Sequence, residues 1–430
     1  MISGSVIIIY TQFYLLLHTL FVLSIFGMDI KQSATVASTT TINMKAYVQS
    51  FRQSLFQPTL YAQNRHWQTI VGSGALSQKF YGLPERPFDV IEERIETKDN
   101  DFFDVEYTTD FETSSKVVIL LHGLESNTKG GIMTKLTVAF QSKGFACCLV
   151  SFRSCNGVQN RNPGAYHLGF TDDLKQLVEI VHNRYPTKSI YLTGFSLGAN
   201  VVLKFLGELS ETAHSYHIRG AAVMCVPFDP EACQKMIDKG FSKLVYTGNF
   251  LNTLKRKAEI QHALHPTSFD LNAVLSATTM GEFDNAFIAK IYGFKDNIDY
   301  YRQTGAKRWL RHIRVPTIAM NARDDPFFDE KALPCAVQDV GDLAPVRMIY
   351  HEYGGHCGFY TQQKYMGYDQ QQSLPTSTPF IGDHDIPPNR DVEHVEYAKV
   401  PVHGWLAEEL ARILEYFDHI PMLPDVSPNA

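Results

Sequence analysis

The chain lacks the cysteine pattern of a disulfide-stapled or zinc-binding protein. Its seven cysteines are odd in number and include no C-x-x-C pair, the spacing that such frameworks use. We therefore expect free, mostly buried thiols, and neither a metal site nor an organic cofactor. The chain also lacks any N-x-S/T sequon, which disfavours a long stay in the secretory lumen.

Positive charge is also scarce. Lys and Arg number 39 against 45 Asp and Glu, and the formal net charge is −6 at pH 7. A nucleic-acid-binding face needs a surplus of basic side chains on one surface. We therefore expect no nucleic-acid partner.

The segment from Ser5 to Gly27 contains no formally charged side chain. A segment of this length can cross the hydrocarbon core of a bilayer. A cleaved signal peptide is the alternative, but no Lys or Arg precedes the apolar run and no A-x-A site follows it. We predict a single membrane anchor over residues 1–27. Lys31 and Lys45 on its C-terminal side favour a cytosolic location for the rest of the chain. The Ser-, Thr- and Ala-rich stretch over 28–55 predicts a polar linker.

The apolar pattern of the rest predicts an α/β fold. Hydrophobic residues make up 44% and charged residues 20% of the 430 residues, as in a globular protein with a large core. Apolar runs too short for helices, such as Lys116–Leu121, Phe145–Phe152 and Ala221–Val226, alternate with segments of helical period. This alternation predicts a mostly parallel sheet with helices on both faces. Phe88–Ile95 and Phe102–Thr108 predict two strands of an antiparallel edge.

Two segments interrupt this pattern in the predicted domain, which covers 56–430. Residues 228–315 contain helical segments and no convincing buried strand, and they predict a helical cap inserted into the sheet domain. One helical face in this cap carries Phe283, Phe287, Ile288, Ile291 and Tyr292. Residues 361–398 are rich in Gln, Pro and Asp without a period and predict an irregular insert. An amphipathic helix from Trp405 closes the domain.

The pentapeptide GFSLG at residues 194–198 lies between a predicted strand and a predicted helix. A G-x-S-x-G in this context is typical of a nucleophile elbow, a sharp turn that exposes the serine hydroxyl above a sheet. We predict that Ser196 is a nucleophile. The alternative is a Gly-Ser turn without chemistry.

Two adjacent carboxylates and a histidine follow Ser196 at predicted strand ends. An elbow serine needs a histidine base and an orienting acid, which follow it in the order acid, then histidine. Asp324 and Asp325 follow one buried strand, and His356 follows the next after two glycines. Because side chains alternate along a strand end, only one aspartate can face His356. We choose Asp325, because the proline after it sets the next turn, and we take His351, inside the strand, as a core residue.

An oxyanion hole needs two backbone donors. One is the amide of Leu197, directly after the serine, and the second comes from the loop after an early strand. The His-Gly-Leu segment at 122–124 follows the first buried strand. We therefore predict the amides of Leu124 and Leu197 as the oxyanion hole.

These motifs give the chain a family resemblance. HGLE at 122–125, SFRSCNG at 151–157, GFSLGAN at 194–200, NARDDPF at 321–327 and GGHCGF at 354–359 resemble the motifs of the YheT-like branch of the α/β-hydrolase superfamily. That branch includes membrane-tethered lipases and esterases. The resemblance spans Phe56 to Phe359 and implies an α/β-hydrolase fold, with Ser196 as nucleophile, Asp325 as orienting acid and His356 as base. Ser154 and Ala199 stand where the family usually has glycine, which bears on substrate preference.

We therefore predict a serine hydrolase that cleaves carboxylic esters through an acyl-enzyme on Ser196. The expected substrates are acyl lipids, such as monoacylglycerols or phospholipids, or short-chain esters. His167 and Asp172 form an H-x-x-x-x-D pattern that is linked in some relatives to acyl transfer; structurally, the same pair could pack and cap a helix. Acyl transfer to an alcohol and a catalytically silent, membrane-tethered binding protein are the alternatives. The intact serine, acid and histidine argue against a silent protein.

Overall fold

A computed structural model of the protein describes residues 43–73, 76, 79, 82–361, 365–367, 396–398 and 403–420. The predicted anchor and most of the predicted linker lie outside these residues. Within the described ranges, no helix is long and apolar enough to span a membrane.

The core of the fold is an eight-stranded sheet. Its strands are β1 (Val90–Glu96), β2 (Phe102–Thr108), β3 (Lys116–Leu121), β4 (Ala146–Ser151), β5 (Ser189–Phe195), β6 (Ile218–Met224), β7 (Thr317–Ala322) and β8 (Val346–His351). They lie in the order β1-β2-β4-β3-β5-β6-β7-β8. β1 and β2 pair antiparallel, β2 pairs antiparallel with β4, and all other pairs are parallel.

Burial explains why the strands have the sequences they have. The side chains of β4 and β7 are buried throughout, and those of β3 and β5 are buried after the first residue. Helices cover both faces of such strands, so each reads as a continuous apolar run. β1 lies at the edge and keeps charged, exposed side chains, which discourage pairing with another chain. The predicted fold class, a mostly parallel α/β sheet with an inserted helical cap, is confirmed.

Helices fill the connections between these strands. The helices outside the cap are α1 (Met44–Gln49), α2 (Arg65–Trp67), α3 (Gly131–Ser142), α4 (Asp172–Arg184), α5 (Leu197–Leu209) and α13 (Trp405–Asp418). Between β6 and β7 lie α6 (Pro230–Ile237), α7 (Gly240–Ser242), α8 (Gly248–Leu264), α9 (Leu271–Ser276), α10 (Met280–Ala286), α11 (Ile288–Tyr292) and α12 (Asn297–Thr304). Shorter helical turns occur at Leu60–Gln63, Gln68–Gly72, Ser210–Tyr216, Lys243–Thr247, Ala306–His312, Glu330–Ala332 and Ala336–Val340.

The helices between β6 and β7 form the cap and share an aromatic core. The ring of Phe287 meets those of Phe269 and Phe283 at centroid distances of 4.7 and 5.4 Å. The face predicted as one helix is divided, because the backbone of Phe287 (φ −112°, ψ −70°) separates α10 from α11. Phe283, Phe287 and Ile288 are nevertheless all buried in this core.

The compact unit begins at Met44, earlier than the predicted domain start at residue 56. Tyr47 and Val48 of α1, together with Phe51, are buried. The ring of Tyr47 stacks on Tyr416 of α13 at 4.4 Å. The Ser- and Thr-rich composition of the segment masks this short apolar group. Its partners include Tyr416, which lies 369 positions later in the chain.

The predicted irregular insert, 361–398, contains two short strands in the described residues. β9 (Tyr365–Gly367) pairs antiparallel with β10 (Glu396–Ala398). The short length of both strands explains why no period was visible in the sequence. The intervening residues lie outside the described part.

Candidate active site

Ser196 occupies the turn that joins β5 to α5. Its backbone has φ 54° and ψ −122°, a conformation that is rare for a residue other than glycine. A Cβ on Gly194 would lie 2.7 Å from the carbonyl carbon of Gly198, and one on Gly198 would lie 2.5 Å from two carbonyl oxygens at the end of β3. Both glycines are therefore required for this turn, which places Ser196 at the carboxyl end of the sheet.

His356 and Asp325 form a short hydrogen bond. Nδ1 of His356 lies 2.7 Å from Oδ2 of Asp325, and Asp325 is fully buried. The other carboxylate oxygen accepts a hydrogen bond from the N–H of Phe327 at 2.8 Å. Burial alone would lower the pKa of His356. The negative charge of Asp325 has the larger effect and raises this pKa to about 10. Asp325 therefore orients the imidazole and stabilises its protonated form.

Backbone contacts along β6 bring the histidine loop towards the elbow. The N–H of Ser196 donates to the carbonyl of Met224, the last residue of β6, at 3.1 Å. The next residue, Cys225, accepts at Sγ a hydrogen bond from the N–H of Cys357 at 3.1 Å. Cys357 directly follows His356, so adjacent positions at the end of β6 contact the elbow and the histidine loop.

The two adjacent aspartates have different partners. Oδ1 of Asp324 accepts a hydrogen bond from the N–H of Gly355 at 2.9 Å, while Asp325 faces His356. Burial raises the pKa of Asp324 to about 6. Asp324 therefore supports the histidine loop, as expected when side chains alternate at a strand end.

A segment that sequence reasoning left unassigned holds this pair in place. Oγ1 of Thr69 accepts a hydrogen bond from the N–H of His356 at 2.9 Å and donates to the carbonyl of Arg65 at 2.8 Å. The guanidinium of Arg65 donates to the carbonyl of Asp325 at 2.6 Å. No apolar period marks this segment, because its role depends on hydrogen bonds to the distant histidine loop.

Replacing Thr69 with Val should lower the free energy of unfolding by about 1–3 kcal/mol, because a buried N–H of the histidine loop loses its acceptor. Thr69→Ser keeps the hydroxyl and serves as the matched control. Urea unfolding of both variants measures the difference. Equal stability of Thr69→Val and the parent would contradict this role.

The loop after β3 approaches the elbow closely. A Cβ on Gly123 would lie 3.1 Å from Cβ of Ser196. The predicted oxyanion-hole residues, Leu124 and Leu197, line the same cavity as Ser196. The structure thus brings both predicted donors to the surroundings of the serine.

Two side chains hold this loop. Nδ1 of the buried His122 lies 2.7 Å from the carbonyl oxygen of Gly123, and its Nε2 accepts from the N–H of Phe152 at 3.1 Å. Burial lowers the pKa of His122 to about 4, so one neutral tautomer, protonated at Nδ1, satisfies both contacts. Glu125 then binds Lys257 of α8 at 2.7 Å, which ties the loop to the cap.

A cavity between the elbow and the cap is lined mainly by apolar side chains. On the cap side its walls include Ile237, Phe250, Leu254, Met280, Phe283 and Phe287. On the sheet side lie Ser196, Phe327 and Phe328. The rings of Phe327 and Phe328 also pack on His356, at 4.1 and 5.5 Å. An apolar cavity with a hydroxyl on its wall suits a ligand that carries a hydrocarbon chain.

One carboxyl group interrupts the apolar wall of the cap. Asp284 lines the cavity and accepts a hydrogen bond from the hydroxyl of Tyr301 at 2.6 Å. Burial raises the pKa of Asp284 to about 7. Asp284 therefore offers a ligand a polar contact within the mainly apolar surface of the cap.

His167 and Asp172, the residues of the H-x-x-x-x-D pattern, have different surroundings. His167 is buried against Tyr292 at 4.4 Å, accepts a hydrogen bond from the N–H of Gly169 at 3.1 Å, and has its pKa lowered to about 3 by burial. Asp172 is exposed in the first turn of α4, and Thr171 takes the N-cap position instead. His167 therefore packs in the core, as the structural interpretation of the pattern predicted. Asp172 does not cap the helix, although the same interpretation also predicted a cap.

Comparison with known proteins agrees with this geometry. A family model described as the alpha/beta hydrolase fold matches residues 116–362, more than half of the chain. YheT from Escherichia coli (strain K12), a protein classed provisionally as an esterase, is 31% identical over 273 residues, which cover 62% of this chain and 78% of YheT.

Two further relatives have lipase names. Phospholipase ABHD3 of Mus musculus is 24% identical over 311 residues, covering 71% of this chain and 73% of the relative. Monoacylglycerol lipase of Saccharomyces cerevisiae is 25% identical over 257 residues, covering 57% and 55%. The chain belongs to the α/β-hydrolase fold family, in the branch that contains YheT.

Proposed function

We propose that the protein is a serine hydrolase that cleaves carboxylic esters, with Ser196 as nucleophile, His356 as base and Asp325 as orienting acid. The observation that carries this proposal is the 2.7 Å bond between His356 and Asp325. Phe327 and Phe328 pack on His356 and line the same apolar cavity as the elbow serine. The esterase and lipase names of the relatives support the same reaction class.

The chemistry uses this chain's own groups in two half-reactions. Oγ of Ser196 attacks the ester carbonyl carbon while His356 takes its proton, and the amides of Leu124 and Leu197 bind the oxyanion. The intermediate then expels the alcohol, which receives the proton from His356. Water attacks the acyl-enzyme by the same route, releasing the acid and restoring Ser196.

The cavity favours acyl lipids as substrates. Its apolar walls can take a hydrocarbon chain, and burial of each CH₂ contributes about 0.8 kcal/mol to binding. The phospholipase and monoacylglycerol lipase names belong to relatives that cover more than half of this chain. We therefore propose a monoacylglycerol, a phospholipid or a related apolar ester as the substrate.

Labelling with a fluorophosphonate probe tests the nucleophile. The parent should form one covalent adduct, which peptide mass spectrometry should place on Ser196, and Ser196→Ala should not label. Ser126→Ala, in the loop after β3, is a control that should label like the parent. An unlabelled parent, or equal labelling of Ser196→Ala, would refute the serine-hydrolase proposal.

We also propose that residues 1–27, which lie outside the described residues, anchor the protein in a membrane. The full chain should remain in the membrane pellet after a carbonate wash, because a spanning segment resists alkaline extraction. A chain that starts at Met28 should be released under the same conditions. Release of the full chain would contradict the anchor.

A further inference from the structure

Two thiols meet the imidazole of His356 at the end of β6. Cys225, Cys357 and His356 each offer a ligand atom, and these atoms all lie within 4.8 Å of one another. All three side chains are buried, and the two thiols are 0% and 3% exposed. Thiolate and imidazole are the ligands that Zn²⁺ prefers in proteins.

The two cysteines have unusual backbone conformations and are joined by a hydrogen bond. Cys225 has φ 53° and Cys357 has φ 62°, and positive φ is uncommon for residues other than glycine. The N–H of Cys357 donates to Sγ of Cys225 at 3.1 Å. The two residues are 132 positions apart, so the spacing of cysteines in the sequence did not reveal this group.

The dimensions of the group fit a tetrahedral cation. Zn–S bonds of about 2.3 Å and Zn–N bonds of about 2.0 Å place ligand atoms about 3.5–3.8 Å apart. A shift of about 1 Å or less therefore brings the three atoms into coordination. The carboxylate of Asp325 already holds Nδ1 of His356, and a carboxylate bonded to the ring is the usual support of a metal-binding histidine.

Binding exchanges the cation for protons. Zn²⁺ displaces the proton of each thiol and the extra proton of a protonated imidazole, and these protons leave to solvent. The two thiolates neutralise the charge of Zn²⁺, so the cation is not left unpaired in a buried site, while the Asp325 carboxylate keeps its hydrogen bond to Nδ1 of the neutral ring.

We propose that Cys225, Cys357 and His356 form a binding site for one thiophilic divalent cation, with Zn²⁺ as its best ligand. The consequence for activity rests on the proposed function: a cation on His356 takes the base away from Ser196, so occupancy switches hydrolysis off. The site is thus an inhibitory one.

Metal binding is tested on the reduced, metal-free full chain by competition with a chromophoric zinc chelator. The parent should bind one Zn²⁺ per chain. Cys225→Ser and Cys357→Ser should each weaken binding by at least the roughly hundredfold that loss of an outer-shell partner can cost, since serine keeps the shape and the polar contact but is a poor ligand. Cys335→Ser, at an exposed thiol, is the matched control and should bind like the parent.

Co²⁺ supplies a readout that does not depend on catalysis. The parent should show a thiolate-to-cobalt charge-transfer band, which both cysteine variants should lose. Ser196→Ala should bind both ions like the parent, because Ser196 is not one of the ligands. A parent that binds Zn²⁺ but does not hydrolyse esters in its metal-free form would refute the proposed function and leave the site intact.

The site would be overturned if Cys225→Ser and Cys357→Ser both bound Zn²⁺ with the affinity of the parent. A parent cobalt complex without the charge-transfer band would also overturn it. So would a chain that forms a Cys225–Cys357 disulfide and takes up no metal. In an active parent, stoichiometric Zn²⁺ should abolish turnover and a chelator should restore it. Unchanged turnover at full occupancy would overturn the inhibitory role.

Discussion

Ser196→Ala should lower kcat for ester hydrolysis by about 10⁵–10⁶-fold, because no acyl-enzyme can form without Oγ. His356→Ala should cause a loss of similar size, since the hydroxyl then has no base. The two residues act in one step, so the double variant should be no slower than either single variant. Steady-state hydrolysis of a short-chain ester, with the protein concentration set by absorbance, measures all three rates.

The loss of kcat in the double variant tests most directly whether the two residues act in one step. Two residues that worked independently would give a loss near the product of the single losses, and that result would contradict a shared step. Ser126→Ala is the control for a serine close to the elbow, and its kcat should stay near that of the parent. Circular dichroism of each variant verifies the fold.

Asp325→Asn should lower kcat/KM by about 10⁴-fold, while Asp324→Asn should stay near the parent. An amide in place of the Asp325 carboxylate cannot stabilise a protonated imidazole and favours the wrong tautomer. An amide at position 324 keeps an oxygen that can accept from the N–H of Gly355, the contact Asp324 makes in the structure. The two substitutions are chemically identical and adjacent, so each is the control for the other. Equal losses would contradict the assignment of His356 to Asp325.

The pH profile separates an electrostatic role of Asp325 from a merely structural one. His356 must be neutral to accept a proton, so kcat/KM should rise with pH through its pKa, which Asp325 raises to about 10. In Asp325→Asn the burial effect remains and the largest raising charge is gone, so the inflection should move to lower pH. The measurement is made with a chelator present, so that no cation occupies His356. An unmoved inflection would contradict the electrostatic role.

Much of the sheet could be predicted because its signal is local. β3 and β2 begin and end where the apolar pattern placed them, at Lys116–Leu121 and Phe102–Thr108. A strand buried on both faces must be apolar throughout, and the flanking helices must be amphipathic, so a few neighbouring residues suffice to recognise each.

The supports of the candidate site could not be predicted in the same way. Thr69 lies 287 positions before His356, and its segment shows neither alternation nor a helical stripe. In the structure Asn64 caps α2 through hydrogen bonds to two N–H groups, a local feature that our sequence analysis did not identify. A capping residue indicates where a helix begins, but it carries no information about the distant loop that the helix will contact.

By itself, the sequence determined the fold class and the order of the elbow serine, the acid and the histidine along the chain. Motifs and apolar periods are properties of adjacent residues, so they are visible without the structure. The tertiary structure alone decided that Thr69 holds the histidine loop, how the cap encloses the cavity, and that Cys225 meets Cys357. These outcomes depend on which side chains face each other once the strands close into a sheet. That closure joins residues 31 to 287 positions apart, and no local pattern encodes it.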